Sequence, residues 1–190
     1  MATGSSGSRR KRPRNRPPRV SVLRVGHRAG RDPRLTTHLA LAARALGAER
    51  MFLHPADPDL SARLAEVVAD WGGTFEVVGV PDWKSVVRAA PGPVVHLTMY
   101  GLPLDRVLPR IRGASDLLVV VGGAKVPPDL YRLADANVAV SHQPHSEVAA
   151  LAVLLDRVLG VPGPGRLAGG RLAVVPRARG KKVREVRRSR

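Results

Sequence analysis

Apolar residues recur along the middle of the chain in two alternating rhythms. Short apolar runs at Val20–Val25, Arg50–His54, Phe75–Val80, Val94–Met99, Leu117–Val121 and Val138–Val140 read as strands. Between them the spacing turns helical. Leu35, Leu39, Ala42 and Leu46 share one helix face, with Asp32-Pro33 as N-cap and first-turn pair and Gly47 as the stop. Further helices are predicted at Leu60–Asp70, closed by Gly72-Gly73, and at Asp82–Ala90, Asp105–Ile111 and Pro128–Leu133. In a last helix, Ser146–Leu159, ten of the twelve residues from Val148 to Leu159 are Val, Ala or Leu. Such a helix needs cover on more than one side, and a second subunit would supply it. Strands and helices in alternation predict an α/β fold, a mostly parallel sheet with helices on both faces. Its ligand site is expected at the C-terminal ends of the strands.

Composition sharpens this reading. The chain has 190 residues, 44% of them hydrophobic, which suits one domain. Its 32 Lys and Arg against 15 Asp and Glu are unevenly placed. Residues 1–19 carry a net +7 and residues 177–190 another +7, so the stretch between them is nearly balanced. The expected organisation is a disordered basic tail (1–19), one domain (20–160) and a Gly/Pro-rich basic extension (161–190). In that extension Leu172–Val175 could pair as an edge strand. Two basic ends on a balanced domain point to a polyanion, nucleic acid before a membrane surface. There is no cysteine, so disulfides and thiolate chemistry are excluded and a reducing cytoplasm is compatible. No apolar run approaches the roughly 20 residues of a membrane helix. No apolar segment follows the N-terminal charges, so a secretory signal is not expected.

The strand-end loops carry the chemistry. Neither a G-x-G-x-x-G after the first strand nor a P-loop occurs. Gly122-Gly123-Ala124-Lys125-Val126-Pro127, Tyr100-Gly101 and the run Ser141–Glu147 follow successive strands like walls of one pocket, with glycine allowing backbone to approach a ligand. Ordinary turn chemistry would give the same residues. Arg28, Arg31 and Arg34 cluster after the first strand, and Arg34 and His38 lie four apart on the following helix. Guanidinium groups at a helix start suit phosphate recognition, or simply a solvated basic face. The six histidines show no metal-ligand spacing, and no metal site is expected.

The run LRVGHRAGRDPRLTTHLALAARALGA (Leu23–Ala48), with HLTMYG (His96–Gly101), VVVGGAKVP (Val119–Pro127) and NVAVSHQPHSEVAALAVLLDR (Asn137–Arg157), resembles the archaeal tRNA (cytidine-56) ribose 2′-O-methyltransferases of the SPOUT superfamily. The resemblance covers roughly residues 20–160. It implies S-adenosylmethionine as cofactor, tRNA as partner, a C-terminal trefoil knot and a homodimer with cofactor pockets near the interface. It places cofactor contacts at Leu97, at Gly122, Gly123, Ala124, Lys125 and Val126, and at Val140, Ser141, His142, Gln143, Pro144, His145, Ser146 and Glu147. Ser141-His142 and Ala124 depart from the family pattern. The resemblance also implies a first-motif arginine assisting the 2′-hydroxyl: Arg34 first, then Arg31, with Arg44 third. Arginine stays charged, so its role would be to hold a phosphate and stabilise the developing alkoxide. Other readings are a related enzyme acting on another RNA such as rRNA, a non-catalytic RNA-binding protein, and a small-molecule enzyme with a phosphate-bearing substrate.

Overall fold

A computed structural model describes residues 17–31, 33–123, 125–160 and 167–186. Six strands form one sheet: β1 (Arg19–Val25), β2 (Arg50–His54), β3 (Glu76–Gly79), β4 (Val94–Pro103), β5 (Asp116–Gly122) and β6 (Ala136–Ala139). Their spatial order is β3-β2-β1-β5-β4-β6, and every pairing is parallel. The helices are α1 (Pro33–Ala45), α2 (Pro58–Trp71), α3 (Trp83–Arg88), α4 (Leu104–Arg112), α5 (Pro128–Leu133) and α6 (Glu147–Leu159).

Strand periodicity sorts the core into two layers. Val20 and Val22 of β1 face α1, α2, α4 and α6, in a cluster with Leu39, Leu60, Ile111 and Leu154. Leu23 and Val25 face the other way, onto Trp83 and Val87 of α3 and Leu130 of α5. β5 lies between β1 and β4 and is buried from Leu117 to Gly122, as its lack of a polar face required. Side-chain caps set the helix starts: Asp57 accepts from the Leu60 N–H at 2.9 Å, and Ser146 accepts from the Val148 N–H at 3.2 Å. The expected Asp32 cap lies outside the described residues.

The structure changes several sequence expectations. β1 begins at Arg19, inside the segment read as a tail, and residues 1–16 lie outside the description. β4 runs on to Pro103, and both Leu97 and Leu102 pair with Val138, so 98–101 bulge out. The run at 172–175 does pair as an edge strand, though not on the main sheet. Leu172–Val174 is β7, paired antiparallel with β8 (Val183–Glu185) in a separate ribbon. The basic residues of β8 hid it, since no apolar alternation marks a strand exposed along its length. A close backbone approach seats this extension on the end of α2: a side chain at Gly170 would meet the Gly72 nitrogen at 2.5 Å.

Nor does α6 need a second subunit for cover. Ala150, Leu151, Leu154, Leu155 and Val158 are buried against the sheet, α1 and α4 of the same chain. Only a side stripe with Ala149 and Val153 remains open, Val153 being 41% exposed. Leu154→Ala is therefore expected to cost the folded chain about 2–5 kcal/mol, while Val153→Ala costs under about 1 kcal/mol. Urea denaturation of the two variants checks the contrast.

Candidate cofactor cleft and arginine loop

A cleft of about 330 Å³ opens at the C-terminal ends of β4, β5 and β6. Of the residues nominated from the sequence, Leu97, Gly122, Gly123, Val126, Val140, Pro144, His145 and Glu147 line it. Lys125, Ser141, His142, Gln143 and Ser146 do not, and Ala124 lies outside the described residues. Three of these shape the loop instead. The Ser141 hydroxyl accepts from the Gln143 N–H at 3.1 Å, His142 Nε2 donates to the Gly101 carbonyl at 3.0 Å, and Ser146 caps α6. His142 thus ties the β6–α6 loop to the β4 bulge. A larger cavity of about 450 Å³ sits at the opposite, N-terminal end of the strands, where Arg19, Arg50 and Asp116 begin β1, β2 and β5. The strand-end rule favours the smaller cleft as the functional one.

The two glycines line the cleft, and each is also hemmed in by the chain itself. A β-carbon on Gly122 would collide with the Val126 side chain, and one on Gly123 would sit 3.1 Å from the Gly26 carbonyl oxygen. The space they leave is filled by the protein's own loops, which fold tightly over the ends of β1 and β5.

Sequence reasoning missed other lining residues. Thr98, Met99 and Tyr131 line the cleft beside the expected Tyr100, as do His96 and Ala150. The HLTMYG run could have supplied the first two and His96; nothing marked Tyr131. His96 and Tyr131 meet edge to face, with ring centroids 4.8 Å apart. Asn137 donates through Nδ2 to the Tyr131 carbonyl at 2.9 Å, so its Oδ1 faces His96 Nδ1, also at 2.9 Å. His96 therefore carries its proton on Nδ1 and leaves Nε2 as an acceptor. That Nε2 is buried and has no hydrogen-bond partner among the described residues.

Arg24 was also missed, because an arginine inside an apolar strand gives no signal of burial. It is 0% exposed. Its Nη1 donates to the Gly122 carbonyl at 2.7 Å and to Glu147 Oε2 at 2.8 Å. One guanidinium thus joins two walls of the cleft.

The arginine loop starts beside the cleft: a β-carbon at Gly26 would lie 3.9 Å from both the Gly123 nitrogen and the Lys125 carbonyl oxygen. Arg28, Arg31 and Arg34 are exposed. Arg34 does not line the cleft of its own chain but a neighbouring hollow with Thr37, His38 and Arg63. Arg44 donates to the Gly72 carbonyl past the end of α2, away from the loop. Among the described residues no three His, Cys, Asp or Glu group as a metal site.

Two solved RNA methyltransferases share this architecture. An RNA 2′-O ribose methyltransferase superposes with a TM-score of 0.58 at 16% identity, over 81% of this chain and 60% of its own. The SpoU methyltransferase AviRb of Streptomyces viridochromogenes, in complex with AdoMet, gives 0.53 at 20% identity, over 75% and 60%. The present chain thus spans about three fifths of those chains, and the likeness establishes the fold. Sequence goes further. The family described as tRNA ribose 2′-O-methyltransferase, aTrm56, matches residues 71–184. The tRNA (cytidine(56)-2′-O)-methyltransferase of Methanothrix thermoacetophila is 49% identical over 87% of this chain and 97% of its own length. That of Thermococcus kodakarensis is 48% identical over 86% and 96%. This chain belongs to the tRNA ribose 2′-O-methyltransferase family.

Burial pushes the His96 imidazole below the ordinary histidine range, with the Asn137 hydrogen bond opposing in part. A base whose folded-state pKa is depressed contributes stability that is present above the unfolded value. That stability is lost as pH falls below about 6.5, where the unfolded chain takes up the proton first. Melting temperature followed from pH 7.5 to 5 should show this loss, and His96→Gln should remove that part of the slope.

Proposed function

We propose that this protein transfers a methyl group from S-adenosylmethionine to the ribose 2′-hydroxyl of cytidine 56 in the T-loop of tRNA. The observation that carries the reading is near-half identity to tRNA (cytidine(56)-2′-O)-methyltransferases along almost their whole length. The cleft fits the cofactor. It combines apolar walls from Leu97, Val121, Val126 and Val138 with a few convergent polar groups, as small-ligand sites do. The orphaned His96 acceptor in its wall suits a hydrogen-bond donor on the ligand. Backbone of Gly122–Gly123 and of the loop from Val140 to Glu147 would hold the cofactor. When bound, S-adenosylmethionine supplies the sulfonium methyl for in-line displacement.

The chain's own work is alignment and charge. A ribose hydroxyl is a poor nucleophile, so the site must position it and stabilise the alkoxide as it forms. Arg34, in the first turn of α1, is the residue for that task, with Arg31 on the exposed loop before it the alternative. A homodimer completes the site. The open stripe of Ala149 and Val153 on α6 and the 36%-exposed Leu35 of α1 are the apolar surface offered for the contact. Docking there brings Arg34 of one subunit to the cleft of the other, which explains why Arg34 does not line its own. A trefoil knot accompanies this arrangement. It is supported by the path from β6, at the sheet edge, back to α6, where Glu147 reaches Arg24 on β1 across the ends of β4 and β5. No helix among the described residues is long and apolar enough to cross a membrane, and a cytoplasmic location agrees with the substrate.

The direct test is methylation of an unmodified tRNA transcript with the modified nucleotide mapped. Methyl on a nucleotide other than C56 would leave the fold reading but overturn the substrate. Arg34→Ala is expected to lower the single-turnover rate at saturating tRNA by about 100- to 1000-fold, while calorimetry shows cofactor affinity retained. Val153→Asp should yield an inactive monomer by light scattering; an active monomer would refute the dimeric site.

A further inference from the structure

Three buried polar side chains join the first turns of α1 and α2, and methyl transfer as described leaves them without a role. His27 is 4% exposed, Asp57 8% and Thr36 0%. His27 Nε2 lies 3.0 Å from Asp57 Oδ2, and His27 Nδ1 lies 2.9 Å from Thr36 Oγ1. The other Asp57 oxygen accepts from the Leu60 N–H. That backbone hydrogen bond, together with His27, holds the Asp57 carboxyl below the usual carboxylate range. An ionised Asp57 only accepts, so His27 carries a proton on Nε2 and its Nδ1 can take the Thr36 hydroxyl proton in a hydrogen bond. The three residues come from the β1–α1 loop, from α1 and from the cap of α2. A buried network of this kind, with its members paired, is stiff and specific in orientation. It fixes the spacing of the two helices where they begin.

Between those same helices lies the hollow of about 280 Å³ lined by Arg34, Thr37, His38 and Arg63. Among the described residues no carboxylate is in its lining, and Arg34 and Arg63 form no salt bridge. Two guanidinium groups and an imidazole line it from two helices. A phosphodiester, with one negative charge spread over two acceptor oxygens, is the ligand this donor set matches.

We propose that the hollow holds a backbone phosphate of the RNA, that Arg63 and His38 contact it beside Arg34, and that the Asp57–His27–Thr36 relay is its rigid seat. The proposal rests on the reading of the protein as a tRNA methyltransferase. It adds α2 to the RNA-binding surface and gives a task to a buried triad that touches no ligand.

The test is binding of unmodified tRNA transcript as a function of salt. Arg63→Gln should raise the dissociation constant about five- to tenfold and reduce the log–log salt slope by about one, the signature of one lost phosphate contact. Arg88→Gln, on α3 across the sheet, should leave both unchanged. Thr36→Val keeps the side-chain shape and deletes the hydroxyl. It should weaken tRNA binding although it never meets solvent, while Thr36→Ser behaves as wild type. Asp57→Asn, which keeps an oxygen to cap α2, is expected to match Thr36→Val and serves if that variant folds poorly. Arg63→Gln binding no differently from Arg88→Gln overturns the phosphate site. Thr36→Val and Asp57→Asn both binding like Thr36→Ser overturn the relay as its seat. Methyl transfer by the wild type is measured in parallel. A wild type that shows these binding differences yet transfers no methyl overturns the functional reading and leaves the phosphate site standing.

Discussion

Arg24 occupies a position that a strand in a hydrophobic core rarely grants to a charge. Val20, Val22 and Arg24 point to the same face of β1, toward α1 and α6, and all three are buried. Removing a guanidinium from water costs several kcal/mol, offset only when good partners wait inside. Here they are the carbonyl that ends β5 and the carboxylate that begins α6. Those two groups belong to the two loops that wall the cleft. The same ion pair that makes the burial tolerable therefore fixes the relative position of the β5–α5 loop and the start of α6. The tight contact of Gly123 with Gly26 depends on this closure, and so does the placement of the arginine loop that follows Gly26.

Much of the fold was legible because burial writes itself into periodicity. The all-apolar LLVVV run announced a strand covered on both faces, and β5 is that strand. The helix starts were legible where Asp or Ser stood before a helical pattern. What escaped obeys a different rule. β8 is exposed along its length and so carries no alternation. The bulge at 98–101 is a register shift, which depends on pairing with β6 rather than on local pattern. The cover over α6 came from within the chain because α1 and α4 converge on it, and no one-dimensional pattern distinguishes that from cover by a second subunit.

The cleft was legible as three loops but not as a list of side chains. Glycine and proline marked where the chain turns, and the turns do surround the cleft. Residues within those loops were nominated as ligand contacts wholesale. The structure shows that Ser141 and Ser146 bond to backbone within the loop and the start of α6, and that His142 bonds to the β4 bulge. Tyr131 entered from α5, which no motif had marked. Arg24 and the His27 relay were hidden for one physical reason: a polar residue in an apolar context reads as exposed or functional, whereas its burial depends on partners that the local pattern does not name.

The sheet order bears on when this protein can come into being. β1 takes β5 as its neighbour from Arg19↔Asp116 to Val25↔Gly122, and Arg24 reaches Glu147 across 123 residues of chain. A ribosome releasing the chain from its N-terminus could let β1, β2 and β3 associate early, since those pairings are close in sequence. The charge on Arg24 would then wait, half-solvated, until the residues of α6 emerge. Long-range closure of this kind slows folding. It also means that cofactor binding and the final ordering of the core belong to one late event, so a nascent chain truncated before α6 holds neither a finished core nor a place for a ligand.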